Sequence, residues 1–280
     1  MADSSTPVLK ARRLSVGFRA DVPILESVDI AIPPGRITAL IGANGSGKST
    51  LLRTLGSALA PLGGSVLLDG VDMRSITRRR LAQAVSLLPQ QPVAPEGISV
   101  RGLSEFGRHP HRGFLRRATP DDRQIVERAL ASAGLADLAD RPLDELSGGQ
   151  RQRAWIAMSL AQDTPIMLLD EPTTYLDIAH QLEILDLLAD LNARRRTTII
   201  MVVHDLNHAA HYAHHLIALH GGRVHASGRP EEVLTEGLVH DVFGVGSVVI
   251  EHPITGGRLC LPLPRTPTAH AGHAAGGRSV

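Results

Sequence analysis

The sequence predicts an α/β fold interrupted by a mostly helical insertion. Three observations carry that expectation. Short β-branched runs alternate with helical patterns at both ends of the chain. A strand leads through a glycine-rich loop directly into a helix. Between about residues 91 and 144, prolines and glycines break the alternation (Pro92, Pro95, Gly97, Pro110, Gly113) before a helical stretch resumes.

The elements follow in order. Val8 to Phe18 and Ile24 to Ile32 read as strands joined by a turn, and Pro33-Pro34-Gly35 as the next turn. Ile37 to Ile41 is a short buried strand, and a helix is expected from about Lys48 to Leu59. Val66 to Leu68 and Val85 to Leu88 are further strands, the second stopping at Pro89. The insertion holds a helix from Asp121 to Ala133, and another follows from Gln150 to Ala161. Ile166 to Leu169 returns to strand. A helix over Ile178 to Leu191 sets Ile178, Leu182, Leu185 and Leu188 on one apolar face. Thr197 to Val203 is a continuous apolar strand, buried on both sides. Beyond Pro262 the chain is rich in Pro, Gly, Ala, Thr and His, a composition expected to stay disordered.

Composition narrows the classes. The chain has 280 residues, 43% hydrophobic and 20% charged, with a net charge of +1. That is globular composition without the basic excess of a protein built to coat nucleic acid. Aromatics make up only 2%, so the core must be aliphatic. One cysteine, Cys260, cannot form an internal disulfide. No apolar run is long enough to span a bilayer, and residues 1–7 do not have the pattern of a signal peptide. The expectation is a soluble intracellular protein. Of the 29 basic residues only Lys10 and Lys48 are lysines.

Lys48 sits in Gly42-Ala43-Asn44-Gly45-Ser46-Gly47-Lys48-Ser49, which fits G-x-x-x-x-G-K-[ST] between a predicted strand and a predicted helix. Glycines let the loop's backbone N–H groups turn toward an anion, and the helix N-terminus adds a positive dipole end. Lys48 supplies a charge for the β- and γ-phosphates of a nucleotide, Ser49 an oxygen for Mg²⁺, and Thr50 a hydroxyl near the α-phosphate. Ile166 to Leu169 ends in Asp170-Glu171: Asp170 is suited to hold Mg²⁺, Glu171 to polarise an attacking water. Leu146-Ser147-Gly148-Gly149-Gln150 opens a helix and makes a second anion site.

Together these three motifs resemble the signature of the ATP-binding cassette (ABC) ATPases over about residues 8 to 262. The resemblance implies an α/β P-loop NTPase core with an antiparallel β subdomain and an inserted helical subdomain. Residues 8–90 would hold the phosphate loop and β subdomain, 91–162 the helical signature subdomain, 163–262 the rest of the core, and 263–280 the tail. It implies ATP and Mg²⁺ as ligands. Ser147, Gly148, Gly149 and Gln150 would close over ATP held by a second ATPase subunit, most simply in a homodimer.

Further residues match the family singly. Gln90, with Gln91 beside it, resembles the glutamine that touches Mg²⁺ and the water. Asp177 resembles the carboxylate that crosses the dimer interface. His204 resembles the histidine that contacts the γ-phosphate. Phe18 stands where the family carries a Tyr that stacks on adenine, and a phenyl ring can still stack. Tyr175 stands where many relatives have a small residue. Leu87 to Gln91, Gly107 to His111, Arg153 to Met158 and Thr173 to Gln181 resemble the importer ATPases for iron(III)–siderophore complexes, nearest to the ferric hydroxamate type. Haem, cobalamin or metal-ion import is the alternative, and a soluble ABC ATPase on DNA or ribosomes a remote one. The resemblance implies ABC permease subunits as partners, contacted through Gln91 to Arg117. A substrate-binding lipoprotein would act indirectly, with no nucleic acid. It also implies a peripheral place on the cytoplasmic face of the cell membrane.

Eleven of the fourteen histidines follow residue 203. His204, His208, His211 and His215 have helical spacing, which reads as a solvated polar face rather than a metal site. Arg78 to Arg80 and Arg194 to Arg196 read as solvated helix ends.

Overall fold

The computed structural model describes residues 6–19, 22–112 and 117–264. The expected tail beyond residue 264, and residues 113–116 of the insertion, lie outside them. Among the described residues, no helix is long and apolar enough to cross a membrane.

Strands β1 (Leu9–Val16) and β2 (Leu25–Ala31) pair antiparallel, and β4 (Gly63–Leu68) pairs antiparallel with β1 on its other side. Strand β5 (Val71–Asp72) completes a four-stranded sheet of order β2-β1-β4-β5. The second sheet has the order β10-β9-β3-β8-β7-β6. It comprises β3 (Ile37–Gly42), β6 (Val85–Leu88), β7 (Ile166–Leu169), β8 (Thr198–Val202), β9 (His215–His220) and β10 (Arg223–Gly228). Its members pair parallel except at the β9–β10 hairpin.

The central strands are buried on both faces, and their alternation divides the core in two. Along β3 and β8, Leu40, Ile200 and Val202 pack toward the antiparallel sheet and helix α1 (Lys48–Leu55). Ala39, Ile41, Ile199 and Met201 pack toward the opposite helical layer. This is why these runs read as continuous apolar segments. Helix α1 is shorter than its apolar pattern suggests: Gly56 caps it and Ser57 turns left-handed at φ 57°.

The helical layer includes α3 (Val100–Phe106), α4 (Pro120–Ser132) and α5 (Gly148–Ala161), whereas α2 (Arg78–Ala84) packs Leu81 into the other half of the core. Helix α4 starts with a Thr119–Asp122 capping box and Pro120 at its first position. Asp122 is also buried between two arginines: Arg108 Nε lies 2.9 Å from its Oδ1 and Arg112 Nε 3.3 Å from its Oδ2. That ion cluster joins α4 to the loop after α3.

Helix α6 (Ile178–Arg195) runs four residues past its expected end, until Arg196 turns left-handed at φ 56°. Only half of its expected apolar face is covered: Leu185 and Leu188 are buried as expected. Ile178 is 73% exposed and Leu182 38%, while Ile184, Leu185, Leu188 and Asn192 are buried. Only the second half of the helix packs on the core.

Helix α7 spans only Leu206–Tyr212. His204 precedes its cap Asp205, and His215 lies in β9, so the four spaced histidines do not share one helix face. A helix could not continue because Ala213 turns extended to lead into β9. Short helices α8 (Pro230–Val233) and α9 (Glu236–Phe243) lead to a final hairpin, β11 (Ser247–Glu251) and β12 (Arg258–Pro262). The hairpin is held to α7 by Asn207, whose Oδ1 accepts the Cys260 N–H at 2.7 Å and whose Nδ2 donates to the Cys260 carbonyl at 3.2 Å.

Candidate active site

The carboxyl ends of β3, β6, β7 and β8 lie side by side. Leu88 pairs with Leu169, Leu169 with Met201, and Leu40 with Val202. Whatever follows each strand therefore meets at one edge, the usual place for a ligand in an open parallel sheet. Four segments leave there: the loop from Gly42 to Gly47, Gln90, Asp170-Glu171 and His204. They surround a cavity of about 530 Å³.

The loop wraps into α1 through Gly47, which caps the helix at φ 97°, a conformation that a side chain would strain. Lys48 is buried at 5% exposure, and its Nζ donates to the carbonyls of Gly42 (2.8 Å) and Ala43 (3.0 Å). Burial lowers its pKa, opposed by the charges of Glu171 and Asp170. Ser46 Oγ is buried in the loop and has no hydrogen-bond partner among the described residues. A buried hydroxyl left open in a cradle of backbone N–H groups suits a phosphate oxygen. Asn44, Gly45, Gly47, Ser49 and Thr50 also line the cavity, and Ala43 lies in the loop behind them.

Ser49 Oγ donates to Asp170 Oδ1 at 2.7 Å. Asp170 is 1% exposed, and its Oδ2 has no hydrogen-bond partner among the described residues, the Arg53 Nε approaching only to 3.8 Å. Burial raises its pKa, against the Ser49 bond and the Arg53 charge. A buried carboxylate with one unbonded oxygen, next to a hydroxyl, is a fitting oxygen donor pair for Mg²⁺.

Glu171 is the centre of the arrangement. Its Oε2 accepts from Gln90 Nε2 at 2.6 Å and from Thr174 Oγ1 at 2.9 Å. Its Oε1 lies 2.7 Å from His204 Nε2, and only 11% of the side chain is exposed. The backbone at Glu171 is left-handed, φ 53°, so the chain turns as soon as β7 ends. That turn separates the two acids: Asp170 faces the phosphate loop and Glu171 faces Gln90 and His204. Gln90 makes this bond, and its neighbour Gln91 stays exposed.

Phe18 lines the same cavity and is 69% exposed, an open ring at its margin. Tyr175 is at the margin too, 89% exposed and left-handed at φ 65°. The remaining sequence candidates do not line this cavity. Ser147 caps α5 by accepting from Gln150 N–H, while Gln150 Oε1 accepts the Ser147 N–H. A side chain on Gly148 would meet nothing, whereas Gly149 lies against His180. Asp177 caps α6 and is anchored by His180.

Three residues in these networks were not singled out in the sequence: Thr174, Arg53 and His180. Thr174 follows Glu171 by three residues, a spacing from which a hydroxyl can return to the carboxylate. Arg53 lies one helical turn beyond Ser49, on the same face.

A protein-family model described as ABC transporter matches residues 25–174. A probable siderophore transport system ATP-binding protein of Bacillus subtilis is 51% identical over 92% of this chain and 93% of its own length. The iron(3+)-hydroxamate import ATP-binding protein of the same organism is 46% identical over 90% of this chain and 94% of its own. Among solved structures, a metal-chelate type ABC transporter in an inward-facing conformation superposes with a TM-score of 0.79. It has 27% identity and covers 92% of this chain and 98% of that one. A dimeric bacterial ABC transporter cassette gives a TM-score of 0.69 at 28% identity, over 79% of this chain and 98% of that one.

Proposed function

The chain belongs to the ABC transporter family of ATP-binding, ATP-hydrolysing subunits, and from that premise we propose that it energises import of an iron(III)–siderophore complex. The observation behind the cargo is the pair of relatives, 51% and 46% identical over nine-tenths of the chain and both named for siderophore or ferric hydroxamate import. Permease subunits in the membrane would receive the work of closure, with a substrate-binding lipoprotein delivering cargo to them. The ATPase would sit peripherally on the cytoplasmic face.

The chemistry follows from the cavity. The loop N–H groups and Lys48 bind the β- and γ-phosphates, and Phe18 offers its ring to the base. Ser49 and Asp170, with Gln90 nearby, are the donors for Mg²⁺, which when bound supplies Lewis-acid polarisation of phosphate oxygens. Glu171 takes the proton of the attacking water. Gln90 and Thr174 fix one of its oxygens and His204 the other, and His204 would also contact the γ-phosphate. Ser147, Gly148, Gly149, Gln150 and Asp177 lie outside this cavity, as groups meant for the nucleotide of a second copy would.

Uptake of isotopically labelled iron tests the cargo. Cells lacking the chain should lose uptake of the ferric hydroxamate complex. The wild-type chain should restore it, and Lys48→Ala should not. Unchanged iron uptake, with loss of haem or cobalamin uptake instead, would redirect the assignment.

A further inference from the structure

Two surfaces assigned to a second copy's nucleotide, the signature turn and the Asp177 loop, belong to different parts of this chain. The first begins α5 and the second begins α6. One side chain touches both. His180 sits in the first turn of α6, and its Nδ1 is 2.7 Å from Asp177 Oδ1. The same oxygen accepts the His180 backbone N–H at 2.9 Å. A carboxylate can only accept, so Nδ1 carries the proton.

The other side of the ring rests on Gly149. A Cβ placed there would lie 2.5 Å from His180 Cδ2 and 2.9 Å from Cγ, so only a glycine lets the ring approach. One turn further along both helices, Arg153 Nη1 lies 3.4 Å from Glu183 Oε2. The two helix starts are thus joined twice, by a ring on a glycine and by an ion pair. Helix caps alone would not require the first contact: Ser147 and Asp177 each satisfy their own helix.

We propose that His180 is a positioning residue, coupling the Asp177 loop to the signature turn so that both meet a second copy's nucleotide in fixed register. It does not line the cavity of its own subunit. It acts through Asp177 and Gly149, and its effect belongs to closure of the dimer. The inference rests on the sandwich reading of the signature and Asp177. A small displacement of groups that must meet a nucleotide together is costly, because orientation is a large part of their contribution.

The test uses the full-length chain. In a Glu171→Gln background, MgATP-driven dimerisation is followed by light scattering, and binding of a fluorescent ATP analogue is measured below the dimerising concentration. His180→Phe keeps a ring on Gly149 and removes the bond to Asp177. It should raise the ATP concentration for half-dimerisation about ten-fold and leave analogue binding within about two-fold. His180→Asn carries an amide donor in the place of Nδ1 and should recover most of the loss. With Asp177→Ala already present, His180→Phe should add less than about two-fold, since its partner is gone.

Unchanged dimerisation in His180→Phe would overturn the proposal, as would effects of His180→Phe and Asp177→Ala that multiply in full. Parallel loss of analogue binding would mean that the ring only supports the fold, and would overturn it too. Should His180→Phe fail to fold, His180→Ala against His180→Asn makes the same comparison. Failure of Glu171→Gln itself to dimerise would remove the sandwich reading on which the inference stands, a result distinct from the others.

Discussion

At the scale of single residues, the site is a division of labour between two adjacent acids. Asp170 and Glu171 have the same chemistry in sequence. One left-handed residue sends them apart, so that Asp170 meets Ser49 and Glu171 meets Gln90, Thr174 and His204. Gln90→Ala should therefore lower turnover about ten-fold or more with little change in nucleotide binding, because it frees the carboxylate proposed as the general base without touching the phosphate loop. Gln91→Ala should be close to neutral in the same steady-state assay. The motif residues were legible because each chemical role demands a residue type at a fixed spacing. Thr174, Arg53 and His180 were not, since each matters through a loop turn or a neighbouring helix. The ambiguity between Gln90 and Gln91 needed coordinates, as only the register of β6 against β7 decides which one faces Glu171.

At the scale of elements, helix α6 shows how periodicity predicts a face without saying how much of it is covered. Ile178 and Leu182 satisfy the apolar pattern as well as Leu185 and Leu188, yet the core contact begins at Ile184. Leu185→Ala should cost about 2–5 kcal/mol of stability and Leu182→Ala under about 1 kcal/mol, measured by denaturant unfolding. Helix α4 makes a different point, because its capping acid is also a buried counter-ion. Burial would push the Asp122 carboxyl up. The Thr119 N–H, the Arg108 guanidinium, the Thr119 hydroxyl and the Arg112 charge outweigh it, bringing the pKa down to about 2. A depressed carboxyl stabilises the fold above its unfolded pKa of 3.8 and loses that contribution as pH falls toward 2. Asp122→Asn should cost about 3 kcal/mol near neutrality, since two arginines lose their counter-charge. The gap from wild type should close between about pH 4 and pH 2. The histidine spacing after residue 203 misled in the same way as α6: intervals of 4, 3 and 4 suit a helix, but the chain turns extended at Ala213.

At the scale of the whole molecule, the parallel sheet converts separate sequence motifs into one cavity. The motifs at 42–49, 90, 170–171 and 204 lie far apart in the chain, and the pairing of β3, β8, β7 and β6 brings their carboxyl ends level. The α/β class and the strands of that sheet from β3 to β8 were visible as unbroken apolar runs. The segment after α7 was not: the apolar core of β9, Leu216 to Leu219, is bracketed by His215 and His220, and β10 to β12 are short and only partly buried. Asn207 is the clearest case: one amide pairs with both backbone groups of Cys260 and stands in for a neighbouring strand. Asn207→Ala should cost about 1–3 kcal/mol and speed amide exchange in β12 before the central sheet. The proposed chemistry of the whole molecule turns on Glu171 as the base of an ATP sandwich. The most direct test is therefore single-turnover hydrolysis by purified Glu171→Gln, with its oligomeric state followed in MgATP. Hydrolysis should fall by at least about a hundred-fold while ATP still binds and holds two chains together. Turnover persisting near the wild-type rate would contradict it.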